Sequence, residues 1–174
     1  FMDWALNQRN LDGSYKYLAF TETEEANYLH AMAYLIEGFH FMFELTGDDN
    51  YLAHAKDYFE LIMTNTGDRV IPTSRYDKNT VPVCNEYCIT GLCQMAAVGL
   101  KLYHRNHPYF QKIIALMYFV KAQQINFGVI KGGLWGSIPM WGNYASMRVP
   151  NWGTKFLIDA LQSYDGYQIS SREE

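Results

Sequence analysis

The stretch from Tyr28 to Leu45, YLHAMAYLIEGFHFMFEL, is followed after TGDDN by Tyr51 to Met63, YLAHAKDYFELIM. In the first, Leu29, Met32, Ala33, Ile36, Phe39 and Phe43 recur at helical spacing on one face. The other faces carry Tyr34, Leu35, Phe41 and Met42, so the expected helix is apolar all round, the mark of a buried helix. Gly47 supplies a stop, and Asp48, Asp49 and Asn50 supply a start. The second helix is amphipathic instead: Leu52, Ala55, Phe59 and Ile62 form its stripe, while Lys56, Asp57 and Glu60 face away.

Working outward, the same pairing returns. Tyr87 to Tyr103 is again apolar all round, with Leu92, Met95, Ala96, Val98, Leu100 and Leu102. A turn at 104–107 leads to Pro108, a favoured first-turn position, and an amphipathic helix over Tyr109 to Gln123. A third inner-type helix is expected from Asn151 to about Tyr164, with Phe156, Leu157, Ala160 and Leu161 as its stripe. The repeat is about 60 residues, bringing Gly38 onto Gly99, Leu29 onto Thr90 and Thr90 onto Trp152. Inner buried helices alternating with outer amphipathic ones give concentric layers, as in an α/α toroid or a helical solenoid. The fold class is therefore all-α, built of α/α hairpins.

Composition narrows the function classes. Of 174 residues, 49% are hydrophobic, 16% aromatic and only 18% charged, which is a core-forming balance rather than a disordered one. The net charge of −4 argues against a nucleic-acid partner, and no run of Lys or Arg marks an anionic membrane surface. His40, Glu44, Gln94 and Lys101 break the longest apolar stretches too early for a membrane span. No signal peptide is visible at the N-terminus. Cys84, Cys88 and Cys93 are odd in number and lack a C-x-x-C pattern, so they read as small buried residues in a reduced, cytoplasmic setting. Cys84 and Cys88 stand four apart, but no histidine pattern nearby completes a metal site.

Loop lengths point to one face. The turns after inner helices are short, whereas about Asn65 to Glu86 and Asn126 to Pro150 lead back into inner helices as long loops. The second is dense in rings and glycines, GVIKGGLWGSIPMWGNYASMRVPNWGTK over 128–155. Trp135, Trp141, Tyr144 and Trp152 offer flat area, with Arg148, Asn151 and Lys155 as polar tips, which is what a sugar or another polar ring compound needs. The alternative is that these Trp rings pack loop on helix. Asp77 and Arg75 lie in the first long loop, and Glu86 and Tyr87 at the expected start of the second inner helix. A carboxylate there is favoured by the helix dipole and suits a base; plain capping is the alternative. His30, at the start of the first inner helix, has the right pKa range for acid–base work or serves as a packing residue. Asp12 reads first as a turn residue. No nucleophile elbow, P-loop, dinucleotide fingerprint or H-E-x-x-H motif is present, and no ligand spacing supports Ca²⁺ or Mg²⁺ at Asp77, so no cofactor and no metal is expected.

Four segments carry a family resemblance. QRNLDGSY over 8–15 resembles the Q…G-x-W repeat of squalene cyclase and prenyltransferase α/α toroids, with Tyr15 in place of Trp. HAMAYLIEG over 30–38, CITGLCQM over 88–95, and GSIPMWG followed by PNWGTKF over 136–156 resemble toroid proteins often encoded near polysaccharide biosynthesis genes. The resemblance implies a toroid of which this chain is about half, a single partial domain over 1–174 and the C-terminal part of a longer protein. A missing N-terminal half or a second subunit would complete it. It also implies glycan metabolism, since related toroids include uronyl epimerases, polysaccharide lyases and glycosidases. The D-x-D-D motif of triterpene cyclases is absent.

The expected function is a carbohydrate-binding or carbohydrate-active toroid domain taking a sugar or glycan. Trp135, Trp141 and Trp152 would stack on rings, Arg148 and Lys155 would hold acidic groups, and Glu86, His30 or Tyr87 would transfer protons as in a uronic-acid epimerase or lyase. The rivals are a non-catalytic binding or scaffold module and an enzyme of isoprenoid or lipid-linked substrates.

Overall fold

A computed structural model describes residues 2–20, 26–66 and 70–170. Residues 67–69 of the first long loop lie outside the described residues. The chain divides into two compact units, Phe1–Glu86 and Tyr87–Glu174. The first holds α1 (Met2–Leu6), β1 (Asn27–Tyr28), α2 (Leu29–Thr46), α3 (Asp49–Thr64) and β2 (Arg75–Tyr76). The second holds β3 (Tyr87–Cys88), α4 (Ile89–Leu102), α5 (Pro108–Ala122), β4 (Ser137–Ile138) and α6 (Asn151–Ser170). The molecule is mostly helical, as the hydrophobic periods require. No helix among the described residues is long and apolar enough to cross a membrane.

In the first unit α2 packs on α3, with α1 against part of α2. Gly47 stops α2 in the left-handed region at φ 71° and donates its N–H to Phe43 O. Asp48 caps α3 by accepting from Asn50 N at 2.9 Å. The core is Met32, Ile36, Phe39, Ala55, Phe59 and Ile62. A hairpin-like bend drives Tyr15 into it, edge-on to Tyr58 at 4.8 Å, with the Tyr15 hydroxyl 2.5 Å from His54 Nδ1. Asp12 closes that bend, accepting from both the N–H and the hydroxyl of Ser14. Its carboxyl is held below the usual range by the Ser14 hydroxyl first and the Ser14 N–H second.

All-round burial holds for α4, where Lys101 is the one exposed residue, but not for α2. Tyr34, Phe41 and Leu45 of α2 are exposed, Phe41 at 61%. The physical reason is the number of neighbours: α4 lies against both α5 and α6, whereas α2 lies against α3 and the five-residue α1.

In the second unit α4 is capped by Cys88, whose sulfur accepts from Gly91 N, and α5 by His107 Nδ1 with Pro108 in the first turn. The long loop of each unit returns to the start of α2 or α4 through a two-residue antiparallel pair. Asn27 pairs with Tyr76 and Tyr28 with Arg75 in the first unit. Tyr87 pairs with Ile138 and Cys88 with Ser137 in the second.

Candidate functional site

In the second unit the loop after α5 folds back as a strap over 133–150, pinned to the start of α4. Ile89 donates its N–H to Gly136 O at 3.0 Å, and Gly136 donates its own to Arg148 O at 2.9 Å. Met147 N donates to Met140 O at 2.8 Å, closing the strap on itself. Ser137 is used twice: its hydroxyl donates to Tyr144 O and accepts from Tyr144 N. Ala145 and Met147 sit at φ 48° and 56°, a region that L side chains enter at a cost and keep only where the surroundings fix them. The Ile138–Pro139 peptide is cis.

This strap carries most of the ring set read from the sequence. Tyr144 is buried, and its hydroxyl accepts from Trp152 Nε1 at 2.9 Å, so Tyr144 positions the first turn of α6 rather than offering a free face. Trp152 nevertheless remains 47% exposed and Trp141 69%. Trp135 and Tyr87 are half-buried, and Tyr87 lies edge-on to Phe119 at 5.5 Å. Arg148 and Asn151 are exposed, Asn151 as the first residue of α6. Lys155 is engaged on its own helix, 2.6 Å from Asp159, a surface pair that contributes little stability but lowers its worth as an anion clamp.

One compositional fact acquires meaning on this surface. From Tyr87 to Ile158 there is no Asp or Glu, against seven Lys and Arg. The second unit has eight Lys and Arg to four Asp and Glu, net +4, while the first has six to fourteen, net −8. The exposed Trp rings therefore sit in a stretch that attracts anions and supplies no carboxylate base.

The remaining sequence-read residues gather in the first unit, around the start of α2. Ser74 organises them: its N–H donates to Glu86 O at 2.7 Å, and its carbonyl accepts from Leu29 N at 3.0 Å. His30 is therefore close to this junction, but it is only 9% exposed and its ring lies against Tyr34 and Phe20. Arg75 is in β2, with a buried Nε that has no hydrogen-bond partner among the described residues. Asp77 accepts from Asn79 N and Val81 N, both at 2.9 Å, and so closes a turn. Glu86, read at the start of the second inner helix, lies ahead of it: α4 starts only at Ile89, because Tyr87 and Cys88 are taken into β3.

The character of Cys84, read from the sequence only as a small buried residue, was missed here. Its sulfur lies 3.3 Å from Ser74 Oγ and 3.7 Å from Glu86 O, and it is half-buried. Burial pushes the thiol up, but the Ser74 hydroxyl and contacts with Glu86 and Arg75 outweigh that and hold it below an ordinary cysteine. Cys88 and Cys93 are buried, and burial pushes the Cys93 thiol well up. Iodoacetamide at neutral pH is expected to label Cys84 and to spare Cys88 and Cys93 until the chain unfolds, read by peptide mass mapping. Equal labelling of all three would contradict this burial pattern.

A second feature missed from sequence is a hollow of about 100 Å³ in the first unit, lined by Trp4, Gln8, Tyr15, Tyr17, Leu18 and Leu35 among others. The rings of Trp4 and Tyr17 stack beside it at 6.1 Å. Tyr17 takes φ 63°, which no periodicity in the sequence foreshadows. The chain matches no family model, no curated protein and no solved structure.

Proposed function

We propose that the chain is a carbohydrate-binding segment of an α/α toroid, and that its strap surface takes an acidic sugar. One observation carries the reading: Trp141 on a tightly hydrogen-bonded strap and Trp152 in the first turn of α6 are both exposed, within a stretch rich in cations and empty of carboxylates. Exposed indoles cost solvation unless a ligand face covers them, and a pyranose offers a flat C–H face. Arg148 adds a forked donor suited to a uronic carboxylate.

Supporting the toroid part of the reading, each unit contains a strand, helix, helix, strand run, after α1 in the first and before α6 in the second, and the helices read as inner begin at Leu29, Ile89 and Asn151. On this reading the other half of the toroid comes from a further part of the protein or a second subunit.

Capture is favoured over turnover, because the strap's own stretch holds no carboxylate to serve as the base, and Tyr87 there lies edge-on to Phe119. The test is calorimetric titration with neutral and uronic oligosaccharides. Uronic oligomers should bind in preference to neutral ones, and Trp141→Ala should weaken them by about tenfold or more while leaving the unfolding midpoint unchanged. Absence of binding by the unaltered chain across the panel would overturn the reading. Product formation that Glu86→Gln abolishes would replace it with an enzyme.

A further inference from the structure

In the second unit residues 125–133 close into a small loop ahead of the strap. Ile125 N donates to Gly133 O at 2.9 Å, and Gly132 N donates back to Ile125 O at 2.7 Å. Gln124 braces the same junction through its side-chain N–H to Gly132 O at 3.0 Å. Inside the loop, Gly133 N bonds to Ile130 O and Lys131 N to Gly128 O. Gly128 and Gly132 both sit at positive φ, 65° and 88°, so the loop's shape is set by residues that adopt such angles without strain.

The apolar side chains of this closed loop point outward instead of in. Phe127 is 63% exposed, Val129 is fully exposed and Ile130 is also exposed. A loop held by its own backbone hydrogen bonds does not need its apolar tip for folding. Such a tip in water is unfavourable, and its retention calls for an apolar phase to receive it.

The charges around the tip choose among the phases. Lys131 follows Ile130 directly and Lys121 lies one turn before the loop; both are exposed. No carboxylate occurs in the whole stretch, whereas the first unit is strongly acidic. A protein groove that received the tip would need no such one-sided charge. Apolar side chains at the tip flanked in sequence by exposed cations match the composition of a bilayer surface, where acyl chains lie beneath anionic headgroups. These cations are dispersed in the sequence, which is why no basic run announces them.

We propose that the 126–131 loop is a reversible docking element for anionic lipid surfaces, inserting Phe127, Val129 and Ile130 while Lys131 and Lys121 engage the headgroups. One loop of this size gives weak, salt-sensitive attachment rather than permanent anchoring.

The experiment is co-sedimentation of the whole chain with phosphatidylcholine vesicles, with and without about one third phosphatidylserine. Sedimentation with the anionic vesicles that fades as salt rises above about 0.1 M is expected, with little on neutral ones. Phe127→Ser combined with Val129→Ser should lower the partition coefficient by about tenfold or more. Lys121→Glu with Lys131→Glu should remove the preference for phosphatidylserine, and it reads the proposal even if the loop variant misfolds. Unchanged partition in both variants, or no sedimentation of the unaltered chain, would overturn the proposal. So would a dimer that Phe127→Ser and Val129→Ser convert to monomer, which would make the tip a protein interface.

Discussion

Phe39→Ala is expected to destabilise the first unit by about 3–5 kcal/mol, the range for emptying a fully buried phenyl site. Phe39 has no solvent exposure, and its ring touches three others: Tyr15 at 5.5 Å, His54 at 5.6 Å and Tyr51 at 6.4 Å. Those partners are themselves fixed, Tyr15 by His54 and Tyr51 by a hydroxyl bond to Asp3 at 2.6 Å, so the site has little freedom to collapse. Against a total stability of roughly 5–15 kcal/mol this is a large fraction. Phe41→Ala, two residues along the same helix on its exposed side, should change stability by less than about 0.5 kcal/mol. Denaturant titration of the two variants reads the contrast. Equal losses would mean that α2 is covered on both sides.

The second large effect is expected at Gly136. A Cβ there would stand 2.5 Å from Ala145 Cβ, 2.7 Å from Ala145 O and 2.8 Å from Tyr144 O. Two of those three atoms are backbone, and the backbone of Gly136 is itself held on both sides, by Ile89 N and Arg148 O. Nothing near it can yield cheaply. Gly136→Ala should therefore cost about 3 kcal/mol, the upper end for overpacking, and should release the strap from the start of α4. Limited proteolysis between 136 and 150 provides the readout, with cleavage far faster in the variant than in the parent. A protease-resistant strap in Gly136→Ala would mean that the loop tolerates the extra methyl by sliding.

The helices from α2 to α5 were legible because they answer to period, whereas α6 runs on to Ser170, past the expected Tyr164. The run from Tyr28 to Leu45 and that from Tyr87 to Tyr103 became α2 and α4 within two residues at each end. Their stops and starts, Gly47, Asp48 and Pro108, act locally and so read locally. What failed to show was burial that depends on neighbours: similarly apolar runs gave α4 a full jacket and left Phe41 and Leu45 of α2 in water. The strands escaped because two residues cannot display an alternation. Glu86 was misplaced for the same reason, since β3 took the residues that its helix was expected to use. Of the candidate site, the ring-rich strap was visible as composition, but the roles within it were not. That Tyr144 braces Trp152, while Trp141 remains open, follows from a hydrogen bond that no spacing rule encodes. Cys84 gained its character from Ser74, ten residues away across a turn.

The two units also differ in how their bends and helix starts are fastened, and acid should treat them differently. In the first, carboxylates do the fastening: Asp12 at Ser14, Asp48 at Asn50, Asp77 at Asn79 and Val81. In the second, a thiol, an imidazole, a proline and a serine hydroxyl do it. Asp12, held below its usual range by Ser14, adds stability that is complete above its unfolded-state value and vanishes as pH drops through its folded one. Below about pH 4, then, protons loosen the Asp12 clasp of the first unit, whereas none of these second-unit clasps is a carboxylate.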